Sequence, residues 1–105
     1  ILAGDFNSNT IWDRPRRIGN HSDVANTLAK KKIMSTYHTF YGLDHGKETH
    51  PTQFMYRHAD KPYHLDYCFV SSDLIAKMVN VEVGAYEDWK LYSDHKPLIV
   101  TFEGS

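Results

Sequence analysis

The sequence predicts one small domain of the α/β or α+β class, with a mixed or mainly antiparallel sheet and flanking helices. Three observations carry that expectation. The chain has 105 residues, enough for one modest core and no second domain. Its hydrophobic share of 41% and charged share of 24% are those of a globular chain. Runs with strand patterning outnumber those with helical patterning.

Residues 1–4 read as a short apolar strand that leaves through Gly4. Residues 8–20 read as a loop carrying Arg14, Pro15, Arg16, Arg17 and Gly19. A helix follows, with Ser22 or Asp23 as N-cap and Val24, Leu28 and Ala29 on one face. Lys30, Lys31 and Lys32 complement the negative end of its dipole. Residues 35–50, polar and aromatic with Gly42 and Gly46, are expected to be mostly loop. Residues 53–56 predict a strand ended by the polar turn 59–62. The clearest strand is 65–71, with Leu65, Tyr67 and Phe69 on one face and Asp66, Cys68 and Val70 on the other. Ser72 is placed to cap a short helix over 73–78. Val79, Val81 and Val83 alternate as a half-exposed strand, and 98–102 forms the last one.

Composition narrows the function classes. No apolar run reaches the length of a membrane span, and no signal-peptide pattern is present. A net charge of −1 argues against a broad basic face for a nucleic-acid duplex, while leaving room for a local phosphate site. Cys68 is the only cysteine, which excludes an intrachain disulfide and fits a reducing cytoplasmic setting. Seven histidines invite a transition-metal reading. Yet His45, His50, His58 and His64 show no paired ligand spacing, and no cysteine cluster supports them.

The polar residues that matter stand in or beside apolar strands. Asp5 and Asn7 follow the first strand, Asp66 opens the central one, and Asp94 and His95 precede the last. A carboxylate in such a place needs a partner, because an isolated buried charge is very costly. Aspartates are hard ligands suited to Mg²⁺ or Mn²⁺, and an imidazole can donate a proton or a hydrogen bond.

Gly4-Asp5-Phe6-Asn7, His64-Leu65-Asp66-Tyr67 and Ser93-Asp94-His95-Lys96-Pro97 together resemble the C-terminal motifs of the endonuclease/exonuclease/phosphatase superfamily. That superfamily holds the deoxyribonuclease I-like enzymes. The resemblance spans nearly the whole chain and implies a divalent-metal-dependent phosphoesterase using Mg²⁺ or Mn²⁺. It implies that Asp5 orients or deprotonates the attacking water, while Asn7 holds that water or a phosphate oxygen. Asp94 would join the metal site, and His95 would hydrogen-bond the scissile phosphate. Asp66 would fix the His95 tautomer and favour the imidazolium. Thr52 loosely matches a segment lining the same cleft, and Arg14, Arg16 and Arg17 are candidates for contacting substrate phosphates. Trp12 and Trp89 are expected to pack rather than stack a base.

The family's domain is a four-layer α/β sandwich of two similar halves. The resemblance therefore implies that residues 1–105 are its C-terminal portion, one half of the sandwich. The metal-ligating glutamate of the first half has no counterpart here, so the isolated chain is expected to be inactive. An uncovered sheet face is expected to drive homo-oligomerisation. Nucleic acid, phospholipid head group and inositol phosphate all remain candidate substrates. The alternative is a non-catalytic, self-associating domain that keeps a residual phosphate or metal site.

Overall fold

The computed structural model describes residues 1–6, 8–15, 19–54, 62–84 and 95–104. It is an α+β fold whose strands pair antiparallel throughout the described residues. In chain order the elements are β1 (Leu2–Asp5), α1 (His21–Lys30), β2 (Ile33–Ser35), α2 (Thr36–Tyr41), β3 (Gln53–Phe54) and β4 (Pro62–Tyr63). There follow β5 (Asp66–Ser71), α3 (Ser72–Ile75), β6 (Met78–Val83) and β7 (Leu98–Phe102). A 3₁₀ turn occupies Thr10–Trp12.

β5 is the centre of the molecule because its side chains are apolar enough to bury on a sheet between two neighbours. It pairs with β1 on one side and β2 on the other. Leu65, Tyr67, Phe69 and Val70 are buried, and with Tyr37 and Val81 they form the core. Phe6 extends it, its ring tilted against Tyr67 and stacked on Phe69 at centroid distances of 5.4 and 5.5 Å. β6 and β7 form a separate antiparallel pair. A register irregularity between Met78 and Asn80 breaks the valine alternation. Val79 therefore faces solvent while Val81 is buried.

Local chemistry shifts several expected boundaries. α1 begins at His21, not after Ser22 or Asp23. Asn20 is its N-cap, and Asp23 accepts the Asn20 backbone N–H as in a capping box. Its inward stripe is His21, Ala25 and Leu28, and Val24 points outward. Residues 35–50 hold more order than expected, since β2 and α2 lie partly within them. Ser35 caps α2 by accepting the His38 N–H, and Gly42 closes it in the left-handed conformation at φ 64°. α2 has few strong helix formers, and packing supplies its stability. Tyr37 is fully buried, Thr36 bonds the Cys68 carbonyl, and Tyr41 bonds the Val81 carbonyl. α3 starts one residue early, with Ser71 as N-cap, and ends at Ile75. The second half of the expected strand 53–56 and the turn 59–62, apart from Pro62, lie outside the described residues.

Candidate functional site

Strand register builds the first site. In the β1–β5 ladder Asp5 stands directly opposite Asp66. Gly4, at φ 145°, takes an extended conformation that a residue with a Cβ rarely adopts, immediately before Asp5. Past the ladder the Phe6 N–H bonds the Leu65 carbonyl, so the pairing continues beyond the two aspartates.

His95 is brought to this pair from the other end of the chain. It bridges antiparallel to Gln53, and the adjacent Lys96 N–H donates to the Thr52 carbonyl at 2.5 Å. The His95 Nδ1 lies 2.8 Å from Asp66 Oδ2, and its Nε2 lies 3.5 Å from Asp5 Oδ2. A carboxylate only accepts, so Nδ1 carries the hydrogen and Nε2 is turned toward Asp5. The imidazole thus sits between two carboxylates, with one ligating atom of each residue within 4.8 Å of the others. The three side chains are 18–33% exposed, which leaves the group open to a ligand. A cavity of about 400 Å³ adjoins it, walled by Gly4, Asp66, Cys68, Pro97 and Leu98.

Thr52 does not reach out to a ligand. It is fully buried, and its hydroxyl accepts the backbone N–H groups of Leu65 and Asp66 at 2.9 and 3.0 Å. The expected substrate contact is therefore corrected: Thr52 positions Asp66 through its backbone and His95 through its own carbonyl. Arg14 is exposed, and the Asn20 side-chain amide bonds both its backbone N–H and its carbonyl. Trp12 packs against Tyr63 at a centroid distance of 5.1 Å, the structural role expected of it. Asn7, Arg16, Arg17, Trp89 and Asp94 lie outside the described residues.

A second acid–imidazole group lies in the interior, and no spacing in the sequence announces it. His38 Nε2 meets Glu48 Oε2 at 2.5 Å, with both side chains almost wholly buried. Glu48 also accepts from the Asn9 amide at 3.0 Å and from the Gly46 N–H at 3.0 Å. Gly46 holds φ at 90°, and a Cβ there would meet the Thr10 side chain at 3.5 Å. The His45 ring stacks on His38 at 3.7 Å, and His45 Nδ1 lies 2.8 Å from His21 Nε2. Asn9, Tyr67 and His64 close the group, because the Asn9 amide lies 2.9 Å from the His64 carbonyl and 3.2 Å from the Tyr67 hydroxyl.

Burial governs the protonation of this inner group. It alone would raise the Glu48 carboxyl. Hydrogen bonds from His38, Asn9 and the backbone N–H groups of Gly46 and Glu48 outweigh it and hold the carboxyl at about 2. Burial, joined by the neighbouring His38 and His21 rings, lowers His45 to about 4. It also lowers His21 and His64 and raises the Tyr67 phenol.

Compared with models of known protein families and with curated proteins, the chain matches none.

Proposed function

We propose that the chain carries the acid–imidazole half of a divalent-metal-dependent phosphoesterase, which hydrolyses a phosphate ester by water attack. The observation that supports this reading is the line Asp66–His95–Asp5, with contacts of 2.8 and 3.5 Å along it. Phosphoester cleavage builds charge on phosphate oxygens, and a preorganised donor aimed at that charge lowers the barrier. His95, protonated on both nitrogens, donates from Nε2 to a phosphate oxygen while Asp66 holds Nδ1. The flanking carboxylates compensate the positive charge that the ring then carries. Asp5, next to that donor, accepts the proton of the attacking water.

The donor set suits a hard divalent ion in part. Asp5 offers a solvent-reaching carboxylate, whereas one oxygen of Asp66 is committed to His95. Asp94, beside His95 in the chain, would hold Mg²⁺ or Mn²⁺, with Asp5 left to orient the attacking water. Such an ion acidifies bound water and withdraws charge from the phosphate. Nucleic acid, a phospholipid head group and an inositol phosphate present the same reacting group, so the reading extends to phosphate esters as a class.

In the intact protein, Asp5→Ala and His95→Ala should each lower Mg²⁺- or Mn²⁺-dependent hydrolysis of a generic phosphodiester such as bis(p-nitrophenyl) phosphate by about 10³-fold. Rates like wild type in both variants would sink the proposal.

One observation favours a second reading, a self-associating domain without turnover. β1 is an edge strand whose Leu2, like the preceding Ile1, is exposed. Light scattering on the 105-residue chain checks the association. Phosphodiester turnover by that same chain removes this reading.

A further inference from the structure

We propose that His38, His45 and Glu48 form a transition-metal site, for Zn²⁺ or a similar borderline divalent ion, separate from the Asp5–Asp66–His95 group. One ligating atom from each of the three lies within 4.8 Å of the other two. Two imidazole nitrogens and one carboxylate oxygen match the donor preference of such ions, and they do not match the all-oxygen shell that Mg²⁺ takes. The set leaves room for a fourth ligand, as open zinc sites do.

The surroundings are those of a supported site. Metal-bound histidines are oriented by a hydrogen bond on the other ring nitrogen. His38 Nδ1 lies 2.6 Å from Ser35 Oγ. His45 Nδ1 is held by His21 Nε2, and His21 Nδ1 in turn by Ser8 Oγ at 2.9 Å. Glu48 Oε1 is held by Asn9. The Glu48 carboxylate is only 5% exposed, and its described partners are an imidazole, an amide and two backbone N–H groups, so a bound cation would supply a full opposing charge. His64 Nε2 is buried with no hydrogen-bond partner among the described residues, and His64 lines the same 190 Å³ cavity as Glu48. On the other side, His38 and His45 face an open cavity of about 430 Å³ that also touches Ser35 and Asp44. The group is therefore reachable from two directions.

Binding requires two local changes. The His38 and His45 rings stack with an interplanar angle of 14°, and a metal lies in the plane of each imidazole it binds. His45, on the loop after α2 and less buried than His38, is the ring that turns. The hydrogen on His38 Nε2, now given to Glu48, must also leave. The ring then carries its hydrogen on Nδ1, and Ser35 Oγ changes from donor to acceptor.

The test uses the metal-stripped 105-residue chain titrated with Zn²⁺ by calorimetry and with Co²⁺ by visible absorption. The expected result is saturable binding in which one ion per chain depends on His45 and Glu48, with the strong absorption of four-coordinate Co²⁺. His45→Ala and Glu48→Gln should each weaken Zn²⁺ by more than about 100-fold, beyond the range of outer-shell changes. His95→Ala should leave it unchanged. Should Glu48→Gln fail to fold, thermal melting decides: Zn²⁺ raises the Tm of the wild-type chain and not that of His45→Ala. No saturable binding, binding kept in His45→Ala, or binding lost in His95→Ala overturns the assignment.

Discussion

Two acid–imidazole groups in this small domain use similar side chains in opposite settings. Asp5, Asp66 and His95 stand at the ends of β1, β5 and the His95 bridge, partly open to solvent beside a cavity. His38, His45 and Glu48 are largely buried near α1, α2 and β5, where their hydrogen bonds run to other buried or half-buried groups. In the open group a ligand can compete for each hydrogen bond, so the contacts are available for chemistry. In the closed group the same contacts hold the fold, because an unpaired charge there would cost several kcal/mol. Changes in the first group should therefore register as activity, and changes in the second as stability or metal affinity.

The sharpest break of that contrast is His95→Ala, assayed for the proposed phosphodiester hydrolysis. It should lower phosphodiester turnover by about 10³-fold. The unfolding midpoint should stay close to wild type, because the ring is partly exposed. Glu48→Ala attacks the closed group and should destabilise the chain by roughly 3 kcal/mol, read by denaturant titration. A loss below about 1 kcal/mol would show that His38 and Asn9 find other partners.

Asp66→Asn sharpens the comparison from within the open group. It keeps the shape and removes the charge behind His95, so kcat should fall roughly 10–100-fold with little change in stability. Acid should act on the closed group. Folded His45 resists protonation until about pH 4, whereas the unfolded chain takes that proton near 6.5. Glu48 acts in the same sense lower down, since the unfolded carboxyl protonates near 4.5 and the folded one near 2. The unfolded state binds more protons across both windows, so stability is present above pH 6.5 and is lost as pH falls. A drop in Tm of roughly 5–15 °C between pH 7 and 4 is expected by calorimetry. The smallest effect is at Thr52. Thr52→Ala removes the acceptor for two backbone N–H groups and should cost about 1–2 kcal/mol, while Thr52→Ser should restore most of it.

The two groups also differ in how far the sequence reveals them. Asp5, Asp66 and His95 interrupt or border apolar strands, and that contradiction is visible along the chain. The strand 65–71 and the strands at 79–83 and 98–102 are legible because their patterning is local, although the irregularity at Met78–Asn80 turns Val79 outward. The closed group draws His21 from the first turn of α1, His38 from α2, and His45 and Glu48 from the following loop. No period relates those positions. α2 itself is hidden, because six residues rich in aromatic and β-branched side chains form a helix only when Tyr37 and Thr36 are buried against β5. Sequence exposes residues that conflict with their local pattern, and it conceals those that agree only after folding.

The cross-strand pairing of Asp5 with Asp66 has a consequence for variation. Their separation is set by ladder register and by the Phe6–Leu65 hydrogen bond, and no part of it depends on how long the intervening chain is. Lengthening a surface loop costs little, about 0.6 kcal/mol per doubling, whereas a one-residue slip of β1 would turn Asp5 to the opposite face. Insertions in the exposed turns between these elements, outside α1, β2, α2 and the segment that carries His45 and Glu48, therefore leave the reacting atoms of the open group in place. Tolerance should end at the paired strand β2, at the buried face of α2 and at the Thr52 clamp.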